Sequence, residues 1–180
     1  MHLRVGPQLT GVESKYLEWL GLQKMIDWSK KKVLVTGGKG FLGSRVVQIL
    51  KQERANRIIV PESKECDLTK LSNCRRIVKG VDIVFHLAGR VGGIGYNRDR
   101  PADIFYDNLL MGTQMLDEAK RANVQKVIAL GTICSYPKFT PIPFSEEHIW
   151  DGYPEETNAP YGLAKKMLLV QSQAYRQQYN

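Results

Sequence analysis

The sequence predicts an α/β fold in which a Rossmann-type doubly wound parallel sheet forms the core. Two patterns predict it: a glycine-rich turn stands between a strand and a helix, and short apolar runs alternate with helical segments along the rest of the chain. The composition agrees, because 43% hydrophobic and 24% charged residues over 180 positions suit one globular domain with a sizeable core.

The first strand and helix begin at Lys32. The run KVLVTGG has the apolar character of a buried strand, and residues 41–53 place their apolar side chains at helical spacing. The later elements follow the same alternation. Strands are predicted at residues 57–60, 81–87 and 126–130, and helices at residues 71–78 and 104–122.

A long segment, residues 131–159, separates the last predicted strand from the last helix. It contains four prolines and is too extended for an idle connection, so it is expected to border a site. The helix that follows carries Tyr161.

Residues 1–31 lie outside this alternation and are treated as an extension to the domain at residues 32–180. They show no strand pattern, and their irregular amphipathic stripe predicts an appended helix or a loose arm of unknown role. The stripe consists of Tyr16, Leu17, Leu20, Met25 and Ile26.

Charge and cysteine usage narrow the functional classes. The net charge of +8 and pI near 9.4 would suit nucleic acid, but the basic residues are scattered apart from residues 30–32, so an anionic small molecule explains them equally well. No apolar run approaches a membrane span, and no signal-peptide pattern is present, which predicts a cytoplasmic protein. Cys66, Cys74 and Cys134 lack metal or disulfide spacing, so no metal is expected.

The glycine-rich turn has the GxxGxxG spacing, with Gly37, Gly40 and Gly43. Between a strand and a helix, such glycines let backbone N–H groups approach a pyrophosphate, although a plain glycine-rich turn is the simpler alternative. A dinucleotide is therefore expected here. The intervening residues expected to line its site are Lys39, Phe41 and Leu42.

The residues after the second strand bear on the choice of dinucleotide. Lys39 and Lys64 would both reach a ribose 2′-phosphate and Ser63 would donate to it, which favours NADP(H). Glu62 leaves NAD(H) open, and Lys64 could equally be a solvated surface charge. Asp67 would suit an adenine amino group, or would simply cap a helix before Leu68.

Tyr161 and Lys165 form a Tyr-x-x-x-Lys pair on one helical face. The ammonium would lower the pKa of the phenol and let it exchange a proton with a substrate oxygen, as a carbonyl reductase requires. A packed Tyr and a solvated Lys are the alternative.

Several stretches together resemble the extended short-chain dehydrogenases/reductases, the family of nucleotide-sugar epimerases and dehydratases. The resemblance covers residue 32 to the last residue, and it implies cofactor contacts from Leu68, Leu87, Ala88 and Gly89. The stretches are TGGKGFLG, Asp67, FHLAG (85–89), DNLLMGT (107–113), Thr132 and YGLAK.

Two further stretches, VGGIGYN (91–97) and GTICSYPK (131–138), resemble the branch of the family that epimerises and reduces GDP-4-keto-6-deoxy sugars with NADPH. The resemblance implies a GDP-sugar substrate and a homodimer. It also implies that Thr132 hydrogen-bonds the keto oxygen and that Cys134 exchanges protons beside it, whereas a buried structural thiol is the alternative. A 4,6-dehydratase would carry carboxylates where Ile133 and Cys134 stand. His86 is expected to have a packing or positioning role.

The family adds a proton-transferring histidine, more strands and a sugar-binding region after the Tyr–Lys helix. We therefore expect this chain to hold the N-terminal, cofactor-binding part, with a sheet that is incomplete at its C-terminal side. A related NAD(P)-dependent sugar epimerase and a dinucleotide-binding module without turnover remain the alternatives.

Overall fold

The computed structural model describes residues 26–179, where four strands form one parallel sheet in the order β2-β1-β3-β4. The predicted α/β Rossmann-type fold is confirmed. The strands are somewhat shorter than predicted, since the regular pairing of β3 with β1 runs only from Ile83 to His86. The strands are β1 (Lys32–Thr36), β2 (Arg57–Ile59), β3 (Ile83–His86) and β4 (Lys126–Ala129).

The helices follow the predicted alternation with one addition. Helix α3 was not predicted, because it is short and buries only Asn97, so it shows no apolar period. Helix α4 begins three residues earlier than predicted, at Pro101, whose missing N–H is not needed in the first turn of a helix. The helices are α1 (Phe41–Gln52), α2 (Leu71–Ile77), α3 (Ile94–Asp99), α4 (Pro101–Arg121) and α5 (Ala159–Tyr179).

The sheet is covered on both faces, as a doubly wound fold requires. Val33 and Val35 point to the face that packs against α1, whereas Leu34 between them packs with Met115 of α4 and Cys74 of α2. Helix α5 lies along α4, where a Cβ at Gly112 would stand 2.3 Å from Leu168. In residues 26–179 no helix combines the length and apolar character needed to cross a bilayer.

The order of the strands locates the site. From β1 the chain moves outward to β2 and then returns to place β3 on the other side of β1. The carboxyl ends of β1 and β3 therefore flank a topological switch point, where open α/β sheets bind their ligands. Of the amphipathic stripe expected in residues 1–31, Tyr16, Leu17, Leu20 and Met25 lie outside the described residues, and Ile26 is exposed.

Candidate active site

A cavity of about 690 Å³ opens at the switch point. Its walls come from the glycine turn, the loops after β2 and β3, and one face of α4. Apart from Tyr161 and Lys165 of α5, every residue that the sequence predicts to contact the cofactor lines this cavity. These residues are Gly37, Lys39, Gly40, Phe41, Leu42, Gly43, Ser63, Lys64, Asp67, Leu68, Leu87, Ala88 and Gly89.

The cavity also has walls that sequence reasoning did not assign. Arg90 and Val91 extend the wall after β3, and Asp107 and Met111 contribute one face of α4. Their four-residue spacing within DNLLMGT was the available signal, since it places both side chains on one side of a helix.

The glycine turn is packed backbone against backbone. Gly37 has a φ of +69°, and a Cβ there would lie 2.8 Å from the Ala88 nitrogen. A Cβ at Gly43 would lie 2.1 Å from the Gly37 carbonyl oxygen. Helix α1 begins directly beyond, with no side-chain cap on its N-terminus. Its first N–H groups are therefore oriented as an anion site for a dinucleotide phosphate.

The Lys39 ammonium forms an ion pair with the Glu62 carboxylate at the rim of the cavity. In the sequence analysis, Lys39 favours NADP(H), because it would bind a 2′-phosphate, whereas Glu62 leaves NAD(H) open, because it would bind a 2′-hydroxyl. In the structure Lys39 partly neutralises Glu62. Ser63 and Lys64 lie exposed at the same rim.

Asp67 lies in the cavity wall, but it does not cap a helix. Helix α2 has Lys70 at its N-cap, so the capping interpretation of Asp67 is wrong. Its Oδ1 instead accepts hydrogen bonds from the backbone N–H and the hydroxyl of Thr69, at 3.0 and 2.7 Å. These bonds hold the pKa of the Asp67 carboxyl below its usual value.

A short 3₁₀ turn, Ile133–Ser135, brings Cys134 to the start of α5. The Ser135 hydroxyl donates to the Gly162 carbonyl oxygen at 2.8 Å, and a Cβ at Gly162 would lie only 1.9 Å from the Cys134 oxygen. The Thr132 hydroxyl oxygen accepts from the Cys134 N–H at 3.2 Å. The glycine after Tyr161 thus lets the turn lie directly against the helix, which places the half-buried Cys134 beside Tyr161.

The electrostatics of Tyr161 differ from the expectation. Burial raises the pKa of its phenol, the neighbouring Cys134 raises it further, and the nearby Thr132 hydroxyl acts in the opposite direction. Lys165 is not among the groups that shift that pKa. Its ammonium lies 3.5 Å from the Ala88 carbonyl oxygen. Lys165 is only 5% exposed, and burial lowers its own pKa.

His86 lies beneath the cavity, 1% exposed, with Nδ1 2.9 Å from the Thr36 hydroxyl oxygen. Burial, and then the positive charge of Lys165, lower its pKa to about 3, so the ring is neutral. This is consistent with packing or positioning. Cys66 and Cys74 are buried free thiols, and burial raises the pKa of Cys74 to about 12.

The parallel sheet, the glycine turn and the cavity at the switch point together define a Rossmann-type dinucleotide-binding domain. The chain belongs to the NAD dependent epimerase/dehydratase family, whose model matches residues 33–180.

Two curated relatives carry the names of GDP-sugar synthases. The GDP-L-fucose synthase of Sinorhizobium fredii is 35% identical over 151 residues, which are 83% of this chain and 48% of the relative. The GDP-L-colitose synthase of Yersinia pseudotuberculosis is 35% identical over 136 residues, 74% of this chain and 44% of the relative. The chain thus spans about half the length of the curated relatives it matches.

A solved structure, the GDP-L-fucose synthetase of Naegleria fowleri bound to NADP, has the same fold. Its sequence is 30% identical to this chain, and the two structures superpose with a TM-score of 0.75. The match covers 83% of this chain and 46% of the Naegleria fowleri chain.

Proposed function

We propose that this chain carries the NADPH-binding and reducing part of a GDP-4-keto-6-deoxymannose 3,5-epimerase/4-reductase, the activity of a GDP-L-fucose synthase. The observation that supports it most strongly is the packing of the turn that carries Cys134 against the start of α5, which carries Tyr161, so that Cys134 is near enough to raise the pKa of the phenol. A simple ketone reductase needs the phenol alone. A thiol next to it adds a group that can exchange protons at the carbons beside the ketone.

The cavity fits the cofactor, because the tight turn at Gly37 and Gly43 can form only without a Cβ at these positions and leads to the uncapped start of α1. Gly37, Gly40 and the first turn of α1 would hold the pyrophosphate. Lys165 would hold the nicotinamide ribose. When bound, NADPH supplies the hydride for carbon 4 of the sugar.

The residues around Tyr161 divide the proton transfers. Cys134 has one of the proton-transfer roles in the epimerisation at carbons 3 and 5 of the sugar. Thr132 orients the keto oxygen. Tyr161 then donates its proton to the oxygen as the ketone is reduced. A phenol is protonated at neutral pH, and burial raises the pKa of Tyr161 further, so this group is available as a proton donor.

The second candidate is the same chemistry on another GDP-4-keto sugar. The similarity to a GDP-L-colitose synthase, at the same identity as to a GDP-L-fucose synthase, favours it. The two proposals share the cofactor and Tyr161, so only the sugar distinguishes them.

An assay of NADPH oxidation tests the proposal. The chain is assayed by itself and fused to the C-terminal half of the Sinorhizobium fredii relative, with the intact relative as the positive control. We expect little turnover by the 180-residue chain and formation of GDP-L-fucose from GDP-4-keto-6-deoxymannose by the fusion. A folded fusion that binds NADPH but does not oxidise it when any GDP-4-keto sugar is added would contradict the proposal.

Cofactor preference gives a second expected result: NADP(H) binds more tightly than NAD(H). With Lys39 paired to Glu62, Lys64 adds net positive charge to a rim that also offers the Ser63 hydroxyl. Lys64→Ala is expected to weaken NADPH binding roughly fivefold and to leave NADH binding unchanged. Titration by tryptophan fluorescence measures both.

Lys70→Ala is the matched control, since Lys70 is a nearby exposed lysine outside the cavity wall. Glu62→Gln should strengthen NADPH binding, because it removes the negative charge that competes for Lys39. A clear preference for NAD(H) in the unsubstituted chain would show that Glu62 governs the pocket.

A further inference from the structure

A buried polar pair joins β1 to β3 directly beneath the cofactor cavity. Thr36 and His86 are paired in register, and their side chains contact each other at 2.9 Å with 0% and 1% exposure. Leu34 and Val84, the pair two residues earlier on the same face, are apolar and pack in the core. A buried polar pair costs desolvation that another apolar pair would not, so its polarity calls for a role.

The Thr36 hydroxyl links the His86 ring to the loop after β3. Its oxygen accepts from the Ala88 N–H at 3.3 Å. Its hydrogen can donate to Nδ1 of the neutral His86 ring, 2.9 Å away, in the tautomer that carries the ring proton on Nε2. The Thr36 carbonyl also accepts from the Leu87 N–H at 3.2 Å. Thr36 therefore holds two successive peptides of the loop after β3.

The Ala88 peptide stands between two parts of the cofactor site. On one side it contacts the glycine turn, since a Cβ at Gly37 would come within 2.8 Å of the Ala88 nitrogen. On the other side its carbonyl oxygen lies 3.5 Å from the Lys165 ammonium. Any shift of Ala88 would consequently move the oxygen that Lys165 approaches.

We propose that Thr36 and His86 are positioning residues that act through the Ala88 peptide to set the place of the Lys165 ammonium in the cofactor site. The neutral imidazole forms a hydrogen bond with the Thr36 hydroxyl and adds no second positive charge beside Lys165. This inference rests on the proposed cofactor role of Lys165.

The test compares Thr36→Val with Thr36→Ser. Valine has nearly the shape of threonine but neither donates nor accepts, whereas serine keeps the hydroxyl. Loss of the hydroxyl is expected to weaken NADPH binding about fivefold in Thr36→Val, while Thr36→Ser stays within about twofold of the unsubstituted chain. NADPH fluorescence gives the dissociation constants, and the thermal unfolding midpoint reports any general loss of stability.

A double-mutant cycle with Lys165→Met separates positioning from general packing. If Thr36 acts through Lys165, Thr36→Val weakens NADPH binding little further once the ammonium is gone. Equal fold-losses in both backgrounds, or no loss in either, would overturn the positioning role while leaving the cofactor site intact. If Thr36→Val does not fold, His86→Leu replaces it in the cycle, with His86→Asn as the variant that keeps an acceptor for Thr36.

Failure of the proposed function gives a different result. An unsubstituted, folded chain that binds no NADPH would overturn the proposed function itself, and the positioning role with it.

Discussion

Replacing Tyr161 with Phe is expected to abolish ketone reduction while leaving NADPH affinity nearly unchanged. The substitution removes the hydroxyl alone and keeps the ring that fills the half-buried position at the start of α5. Without a proton donor, the alkoxide that forms on reduction has no neutralising group in contact. Loss of one general acid lowers a rate by on the order of a hundredfold to ten-thousandfold. Single-turnover NADPH oxidation in the catalytically complete fusion measures the effect.

Tyr175→Phe is the matched control on the same helix. The Tyr175 hydroxyl donates to Asp117 at 2.7 Å, and burial raises its pKa as it does for Tyr161. Tyr175 lies outside the proposed catalytic group, so its loss should leave reduction intact. If Tyr161→Phe reduced the ketone at the rate of Tyr175→Phe, another group would have to donate the proton.

The parts of the fold that depend on local patterns could be predicted from the sequence. The alternation of Val33, Leu34 and Val35 between two covered faces is a property of any buried parallel strand, and the turn after it needs glycine because backbone approaches backbone. A short helix such as α3 has no such signature. It buries one polar residue, Asn97, and its place depends on contacts distant in sequence.

The lining of the cavity could be predicted more completely than the contacts within it. Sequence spacing placed Lys39 and Glu62 near the same ribose, but their ion pair joins positions 23 residues apart across the cavity. Likewise, the helical spacing of Tyr161 and Lys165 places both on one face but does not give the direction of the lysine's long side chain. In the structure the lysine's ammonium points toward the Ala88 carbonyl oxygen, 77 residues away in sequence. Tertiary contacts of this kind decide pKa directions, so the pattern gave the wrong direction for Tyr161.

In the proposed reaction, the two chemical steps fall to different groups. The Tyr161 phenol, whose pKa lies above its usual value, is protonated at neutral pH, so it can donate in the reduction step but cannot take up a proton beforehand. Removal of a proton beside the ketone therefore needs another group. Within the turn that touches the start of α5, Cys134 is the residue with a side chain able to take that part, since Ile133 is apolar and the Ser135 hydroxyl is engaged by Gly162.

Cys134→Ser is accordingly expected to impair epimerisation far more than reduction. Serine preserves the size of the side chain and the turn, but a hydroxyl is a much weaker acid than a thiol and transfers protons poorly at neutral pH. Incorporation of solvent deuterium at carbons 3 and 5 should slow on the order of a hundredfold. The measurement is mass spectrometry of the sugar recovered from the catalytically complete fusion in deuterated buffer.

Cys74→Ser provides the control for loss of a thiol as such. Cys74 is buried in the core, where its Sγ donates to the Leu68 carbonyl oxygen at 3.3 Å, a bond that serine can also make. Its thiol, with a pKa of about 12, is a very poor proton donor at neutral pH, so deuterium incorporation should be unchanged. Equal incorporation by Cys134→Ser and Cys74→Ser would make Cys134 a structural thiol, and the proposed epimerase step would then need a different residue, whereas the reducing role of Tyr161 would stand.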